Sequence, residues 1–193
     1  MERLHRKRCK RHDVEGQAHC LTFSCFRGQP FLLGERARLW MAEALSAERR
    51  QGLYDLWAYV LMPEHAHLVL LPHEGATISR ILTSIKSSVA KRAFLWARKS
   101  SPSVLERMAH RTSNGRCHYR FWQRGGGYDR NLRSVHDVYE KIKYTHANPV
   151  RRGLVAAPED WYWSSCRAWQ TSDDDPIAID RDSLPWQRAE STR

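Results

Sequence analysis

Hydrophobic positions in the first half of the chain predict one strand, one helix and a pair of adjacent strands. Leu21, Phe23 and Cys25 occupy every second position, which is the spacing of a half-buried strand. Residues 35–50 contain good helix formers and no helix breaker, so we expect a helix there. Two apolar runs between residues 56 and 71 are separated only by a Pro-Glu step, which predicts two strands of a hairpin.

Helical periodicity dominates the second half of the chain. Apolar residues recur at helical spacing over residues 77–98, with basic residues off that stripe, which predicts an amphipathic helix with a basic outer surface. Residues 99–117 begin with a Ser-Pro-Ser break and are interpreted as a loop or insertion, and a strand is expected at 118–123. Ser134 can cap a further helix over residues 135–146, which an Asn-Pro step then ends.

The order of these elements is typical of an α+β fold. The first six elements match the split βαβ, or ferredoxin-like, plan with an antiparallel sheet, and an additional C-terminal helix follows. We therefore predict a single domain over residues 18–170. A basic arm over residues 1–17 precedes it, and an acidic, flexible tail over residues 171–193 follows it.

Charge indicates a class of partner. The 193 residues include 32 Lys and Arg against 21 Asp and Glu, a formal net charge of +11. Eleven basic residues lie between Lys86 and Arg130, with only Glu106 and Asp129 as acids. Such a surface attracts polyanions and releases their counterions on binding, so nucleic acid is the leading partner class. A solvated basic surface kept for solubility is the alternative.

Two features of the sequence exclude other classes of protein. The longest apolar run, residues 56–62, is far shorter than the ~20 residues that span a bilayer, so no membrane segment is expected. The five cysteines include no Cys-x-x-Cys pair, which favours reduced thiols over a disulfide framework or a structural zinc site. We therefore expect a cytoplasmic protein.

The sequence His65-Ala66-His67 lies within one of the apolar strands. Side chains two residues apart leave the same face of a strand, so both imidazoles point the same way. Two imidazoles on a rigid strand are natural ligands of a divalent metal. The alternative is a pair of structural histidines without a ligand.

Tyr144 and Asn148 are spaced i and i+4, so they share one side of the last predicted helix. Tyr144 falls nearly opposite Ile142, which belongs to the apolar stripe of that helix. A tyrosine at this position faces either solvent or a cleft, and an exposed surface tyrosine is the alternative to a functional one. Asn148 can end the helix, and its carbonyl oxygen can also complete a metal site.

Several stretches of the chain resemble REP-associated tyrosine transposases, which are single-tyrosine HUH transposases. Residues 61–68, LMPEHAHL, resemble the Pro-(Asn/Glu)-His-x-His core of that family. The resemblance covers about residues 18–165, and residues 99–117 look longer than the corresponding connection of the family. Four further stretches support it: FWQR at 121–124, YDRNLR at 128–133, YTHANPVRRGLV at 144–155 and WYWSS at 161–165.

The resemblance implies a metal-dependent enzyme that cleaves and transfers single-stranded DNA at hairpin-forming repeats. It implies that His65 and His67 hold Mg²⁺ or Mn²⁺, that Asn148 supplies a third ligand, and that Tyr144 is the nucleophile. Attack by the tyrosine hydroxyl on the scissile phosphorus gives a 5′-phosphotyrosine and a free 3′-OH, while the cation polarises a non-bridging oxygen.

Basic and aromatic side chains supply candidate DNA contacts. Trp122, Trp161 and Trp163 can stack on unpaired bases, with core packing as the alternative. The expected partner is single-stranded hairpin DNA, bound by a monomer or homodimer in the nucleoid. The candidates for phosphate contacts are Lys86, Lys91, Arg92, Arg98, Arg120, Arg124, Arg130, Arg151 and Arg152.

Two other functions stay open from the sequence. A non-catalytic binder of structured DNA would keep the same fold and basic surface without turnover. A metalloprotein acting on small phosphorylated substrates would lack the preference for single strands over mononucleotides and the steep loss of affinity with salt. Tyr128 and Tyr139 are rival nucleophiles, although neither has an asparagine four residues on.

Overall fold

The computed structural model describes residues 13–125, 127–170 and 176–185. Two short 3₁₀ turns, Phe26–Gly28 and Pro158–Asp160, accompany the regular elements. The strands are β1 (Ala18–Ser24), β2 (Tyr54–Leu61), β3 (His65–Pro72), β4 (Ala109–Arg111), β5 (Cys117–Tyr119) and β6 (Tyr128–Leu132). The helices are α1 (Glu35–Arg50), α2 (Ile78–Ser100), α3 (Pro102–Met108), α4 (Val135–His146), α5 (Asn148–Arg151) and α6 (Cys166–Gln170).

Four strands form one antiparallel sheet in the order β2-β3-β1-β6. Strand β3 lies between β1 and β2, the two strands that α1 joins, and β1 lies between β3 and β6. Each helical connection therefore passes over an inserted strand, which is the split βαβ arrangement. The predicted α+β, ferredoxin-like fold with a further C-terminal helix is confirmed.

The fourth strand of the sheet is not the predicted one. Residues 118–123 do not form a strand of the main sheet: 118 and 119 belong to β5, and Trp122 makes only an isolated antiparallel bridge with Cys25 just beyond β1. The strand that pairs along β1 is β6. Phe121 and Trp122 are buried because they cover the end of β1, where Trp122 packs on Phe23 with ring centroids 5.1 Å apart. The apolar pattern thus identified buried residues correctly, whereas the edge strand β6 is polar and only its Leu132 is buried.

The two faces of the sheet pack against different helices. Leu21 and Leu68 belong to the core that α1 and α2 cover, whereas Val69 belongs to a smaller core with Val138 and Ile142 of α4. Since side chains alternate along a strand, the residues of β3 two and four positions before Val69 also lie on the α4 side. The sheet therefore presents the two histidines of β3 to the face that α4 occupies.

The described parts of the predicted terminal segments contact the domain. The Asp13 carboxylate accepts a hydrogen bond from the backbone N–H of Ile78 at the start of α2, and residues 1–12 of the basic arm lie outside the described residues. In the acidic segment, the Asp180 carboxylate accepts from the Leu56 backbone N–H at 2.8 Å and pairs with Arg49. Residues 176–185 therefore lie along the edge strand β2 and are not a free tail, while 171–175 and 186–193 are outside the described residues.

None of the described helices combines the length and the hydrophobicity that a bilayer span requires.

Gly127 is the glycine whose replacement we expect to destabilise the fold strongly. Its φ is +68°, and a Cβ atom on it would lie 2.1 Å from the backbone oxygen of Thr22. Gly52 has a φ of +70° and open space around its Cβ position, so Gly52→Ala measures the cost of the left-handed backbone alone, about 1 kcal/mol. We expect Gly127→Ala to lower the free energy of unfolding in urea by at least ~2 kcal/mol, and equal losses for the two variants would contradict the close approach.

Candidate active site

His65 and His67 meet at their Nε2 atoms on the α4 side of the sheet. The two Nε2 atoms are 2.9 Å apart, and the rings are nearly perpendicular, with an interplanar angle of 82°. His67 is buried, and the His65 side chain is 13% exposed. Their approach follows from their spacing in β3, because alternate residues of a strand share a face.

Other side chains hold the two outer ring nitrogens. The Nδ1 atom of His65 lies 3.1 Å from the Glu64 carboxylate, which only accepts, so this nitrogen carries the hydrogen. The Nδ1 atom of His67 lies 2.8 Å from the hydroxyl of Thr22, which faces His67 across the β1–β3 pair. Since a hydroxyl can donate or accept, Thr22 can serve either tautomer of His67.

Both imidazoles are neutral at neutral pH. Burial, together with the smaller effect of the neighbouring His65, lowers the pKa of His67 to about 3. Burial also lowers the pKa of His65, although the Glu64 carboxylate opposes that effect. The neutral ring is the form of histidine that coordinates a metal.

The geometry of the pair fits two adjacent positions around a divalent cation. Ligands at ~2.1 Å in octahedral geometry lie about 3.0 Å apart along an edge, close to the observed Nε2–Nε2 separation of 2.9 Å. Within the described residues, no group of three or more His, Cys, Asp or Glu side chains gathers at a cation-sized site.

Glu64 connects the histidine strand to the segment that follows α4. The Glu64 oxygen that contacts His65 also pairs with the Arg152 guanidinium at 2.8 Å. Arg152 directly follows α5, and its backbone N–H donates to the Asn148 carbonyl. This chain of contacts places the segment of Asn148 beside the start of β3.

Asn148 is buried, and its amide N–H₂ is occupied by the backbone. It donates to the carbonyl of Tyr144 at 2.8 Å and to that of Thr145 at 3.2 Å. Asn148 therefore holds the last turn of α4 and also opens α5, which differs from the predicted end of all helix at the Asn-Pro step. The amide oxygen of Asn148 takes no part in these two hydrogen bonds, and it is the atom of this side chain that can coordinate a cation.

Tyr144 lies on the outer side of α4. Its side chain is on the opposite side of the helix from Ile142, which packs into the smaller core, and the residue is 43% exposed. The Lys141 ammonium lies 5.3 Å from the centre of its ring, and the Arg151 guanidinium lies 5.0 Å from it. Two positive charges therefore flank the phenol.

The structure thus brings together some of the predicted site residues and leaves others apart. His65 and His67 touch each other, and Asn148 is tied to Tyr144. Among the described contacts of Tyr144, none reaches either histidine. Convergence of the phenol with the histidine pair therefore stays a prediction.

Three of the predicted DNA contacts already pair with carboxylates of the chain. An arginine in such a pair offers less free charge to phosphate than an unpaired one. The pairs are Arg92 with Glu43, Arg130 with Asp137 at 2.7 Å, and Arg152 with Glu64 at 2.8 Å.

The other predicted contacts differ in exposure. The Lys86 ammonium lies over the rings of Phe23 and Trp122, so it also serves the core. Arg120 is partly buried over Phe26. The other candidates, Lys91, Arg98, Arg124 and Arg151, are exposed, and two of them also lie over rings, Arg98 over Phe94 and Arg151 over Tyr144. Of the three candidate stacking residues, Trp122 and Trp163 are buried in the larger core, and Trp161 is partly buried with its Nε1–H donated to the Leu61 carbonyl.

Sequence reasoning assigned no role to three residues beside the site. Thr22 holds His67, Glu64 holds His65, and Lys141 flanks Tyr144. Glu64 precedes His65 directly, and Lys141 lies three residues before Tyr144, so spacing alone could have suggested both. Thr22 becomes visible only when the register of β1 and β3 is known.

Removing the Thr22 hydroxyl should weaken cation binding. Thr22→Val keeps the shape of the side chain but leaves Nδ1 of His67 without its partner, and removal of such an outer partner typically costs 10- to 100-fold in metal affinity. We expect the affinity for Mn²⁺, measured by calorimetry, to fall at least about 10-fold. Thr83→Val on the exposed side of α2 is the control. Equal Mn²⁺ affinities of the two variants would show that Thr22 does not contribute to the cation site.

Comparisons with known proteins identify the fold. The chain matches no protein-family model, and no curated protein matches its sequence. A solved structure of a REP-associated tyrosine transposase bound to a REP hairpin is similar with a TM-score of 0.63 and 20% identity, covering 93% of this chain and 97% of that one. A structure from Deinococcus radiodurans R1 described as a "putative transposase" is similar over 70% of this chain and 93% of that one, with a TM-score of 0.42 and 17% identity. The chain therefore has the fold of the REP-associated tyrosine transposase structure.

Proposed function

We propose that this protein is a transposase of the REP-associated tyrosine type, which cleaves and rejoins single-stranded DNA at hairpin-forming repeats through a 5′-phosphotyrosine. The observation that carries the proposal is the histidine pair, whose Nε2 atoms are 2.9 Å apart while Glu64 and Thr22 hold the outer nitrogens. The pair lies on the sheet face that α4, the helix of Tyr144, also covers. The fold shared with a solved transposase and the net charge of +11 support the same function.

His65 and His67 would hold Mg²⁺ or Mn²⁺, with the amide oxygen of Asn148 as a third ligand. A bound divalent cation supplies Lewis acidity to a phosphate oxygen. The chain itself fixes the orientation of both rings through Glu64 and Thr22, so the ligands need not reorganise when the phosphate arrives.

Tyr144 would supply the nucleophile. Its hydroxyl oxygen forms a bond to the scissile phosphorus, the bond between phosphorus and the 3′ oxygen breaks, and the departing oxygen gains a proton as a 3′-OH. The charges of Lys141 and Arg151 beside the ring attract the phosphate to this hydroxyl. Attack by a 3′-OH on the phosphotyrosine reverses the exchange and rejoins DNA without another energy source.

The reaction requires Tyr144 to reach the histidine pair from the outer side of α4. The Arg152–Glu64 ion pair and the two hydrogen bonds of the Asn148 amide fix the present position of this segment. Either this segment turns when DNA binds, or the helix of a second copy serves the histidines of the first.

The test of the proposed function is formation of a covalent adduct. The protein is incubated with Mn²⁺ and labelled single-stranded DNA that contains a hairpin from the flanks of its own gene. A labelled band that survives denaturation and disappears after proteolysis supports the proposal. Binding of the same DNA without any adduct favours a non-catalytic DNA-binding protein, which is the second candidate because Tyr144 lies away from the sheet.

The exposed basic side chains should contribute to DNA affinity by neutralising phosphates. We expect Arg98→Glu/Arg124→Glu to weaken binding of single-stranded DNA and to flatten the plot of log affinity against log salt by about 0.7 for each phosphate that the variant no longer neutralises. The control is Arg50→Glu/Arg80→Glu, which makes the same change of charge on two exposed residues, one at the end of α1 and one at the start of α2. The same slope for both double variants would place the DNA elsewhere on the protein.

A further inference from the structure

Residues 109–119 form a basic β-ribbon that stands apart from the main sheet. Strands β4 and β5 pair antiparallel, with Ala109 opposite Tyr119 and Arg111 opposite Cys117. This ribbon, which we call the β4–β5 ribbon, occupies the stretch interpreted from sequence as a loop or insertion.

The base of the β4–β5 ribbon is anchored firmly. Tyr119 packs on Phe94 of α2 with ring centroids 5.3 Å apart, and His110 packs on Phe26 at 5.8 Å. The N–H of Arg120 donates to the Met108 carbonyl, which closes the base of the ribbon.

The tip of the ribbon is ordered by its own hydrogen bonds and reaches solvent. The N–H of Thr112 donates to the Arg116 carbonyl, and the N–H of Gly115 donates to the Thr112 carbonyl. All residues from 113 to 119 are exposed. The tip is therefore a preformed projection, which loses little conformational freedom when it meets a partner.

The chemistry of the ribbon favours nucleic acid over a protein partner. From residue 107 to residue 128 the sequence contains no Asp or Glu, while Arg111 and Arg116 flank the turn and His118 follows on β5. Between Arg111 and His118 there is no aromatic, Leu, Ile, Val or Met side chain to anchor a protein interface. The Thr112 hydroxyl and the Asn114 amide oxygen hydrogen-bond each other within the turn, and the Ser113 hydroxyl and the Asn114 amide N–H₂ are groups of the kind that read base edges.

The shape of the ribbon fits double-stranded nucleic acid. A two-stranded β-ribbon fits the major groove of B-DNA, which is about 12 Å wide. Single strands are bound more often on aromatic platforms, and the ribbon tip has none.

The ribbon lies at the same end of the sheet as the histidine pair. Phe26, whose ring packs against that of His110 in the ribbon, follows the end of β1. Ser24 at the same end of β1 pairs with His65 of β3. The ribbon packs on α2, which covers the opposite face of the sheet from the histidines, so the single strand that leaves a bound duplex would pass around this end of the sheet to reach the proposed cleavage site.

We propose that the β4–β5 ribbon binds the double-stranded stem of the DNA hairpin and thereby gives the protein its preference for hairpins over unstructured single strands. This inference rests on the proposed function for its substrate class. It adds the surface that reads the duplex part of that substrate.

The main experiment compares a hairpin with an unstructured strand of equal length and composition. We expect the wild-type protein to bind the hairpin more tightly, and Arg111→Glu/Arg116→Glu to lose at least about 10-fold in hairpin affinity with a much smaller loss for the unstructured strand. Arg50→Glu/Arg80→Glu, with the same charge change, should retain the preference. Equal losses of affinity for both DNAs, or an unchanged affinity for the hairpin, would show that the ribbon does not bind the stem.

Cys117 provides a second, independent measurement. It is exposed on β5, whereas Cys20, Cys25 and Cys166 are buried. In a Cys9→Ser background, because residue 9 lies outside the described residues, hairpin DNA should slow alkylation of Cys117 at least several-fold and the unstructured strand should not. Equal protection by both DNAs would contradict stem binding.

The outcomes also separate this inference from the proposed function. A wild-type protein that binds neither DNA would overturn both. A wild-type protein that forms the covalent adduct and binds hairpins equally well after Arg111→Glu/Arg116→Glu would overturn only the ribbon's role.

Discussion

A Tyr144→Phe variant is expected to form no covalent adduct with DNA while it binds hairpin DNA almost as tightly as the wild type. The substitution removes only the hydroxyl, and without a nucleophile the adduct should fall by at least about 10³-fold. Binding should persist because the ring, flanked by Lys141 and Arg151, keeps its place. Adduct yield on a denaturing gel and affinity by fluorescence anisotropy measure the two effects.

Tyr128→Phe is the matched control for this prediction. Tyr128 is opposite Thr22 in the register of β6 and β1, and Thr22 is opposite His67, so the three residues form one row on the same sheet face. Tyr128 is 49% exposed, which makes it the sterically available rival. An adduct that persists in Tyr144→Phe and disappears in Tyr128→Phe would transfer the nucleophile to β6.

Replacement of either histidine by alanine is expected to suppress DNA cleavage at millimolar Mg²⁺. Removal of one Nε2 atom leaves a single protein nitrogen where two lie 2.9 Å apart, so a cation would lose a ligand and its fixed orientation. We expect His65→Ala and His67→Ala each to lower the single-turnover cleavage rate by at least about 10²-fold, with hairpin binding retained. Quantified cleavage of end-labelled DNA over a series of Mg²⁺ and Mn²⁺ concentrations measures this.

His73→Ala is the control for these variants, because His73 lies just beyond the other end of β3, where its ring contacts the Gly52 carbonyl and Asp55. His67→Gln complements His67→Ala because His67 is buried and its truncation leaves a cavity. Thermal melting shows whether each variant is folded. Cleavage at the wild-type rate by folded His65→Ala and His67→Ala would make the pair structural.

A mixture of Tyr144→Phe with His65→Ala determines whose helix serves the histidines. Each variant alone lacks one half of the proposed site. An adduct on the His65→Ala chain in the mixture means that Tyr144 of one copy acts at the histidines of another. No adduct in the mixture means that each chain uses its own tyrosine after the Asn148 segment moves.

Local patterns were sufficient for most of the elements. The predicted helices at 35–50 and 135–146 coincide with α1 and α4, because the helix formers of α1 and the Ser134 cap of α4 act within the segment itself. The prediction of a sheet strand at 118–123 was wrong because an apolar run indicates burial and not strand pairing: Phe121 and Trp122 are buried over the end of β1, where Trp122 makes only an isolated bridge with Cys25. The polar β6 could not be found this way, since an edge strand with a single buried residue has no strong alternation.

The sequence by itself determined that His65 and His67 share a face and that Tyr144 and Asn148 share a helix side, because both statements depend only on the periods of strand and helix. Which residues surround these groups depended on contacts between segments distant in the chain. Thr22 reached His67 through the register of two strands 45 residues apart, and Arg152 reached Glu64 through the packing of α4 and α5 on the sheet. The sequence also placed Tyr144 opposite the apolar stripe of α4, but only the tertiary structure decided between solvent and a cleft, because α4 packs Ile142 against the sheet and leaves Tyr144 43% exposed.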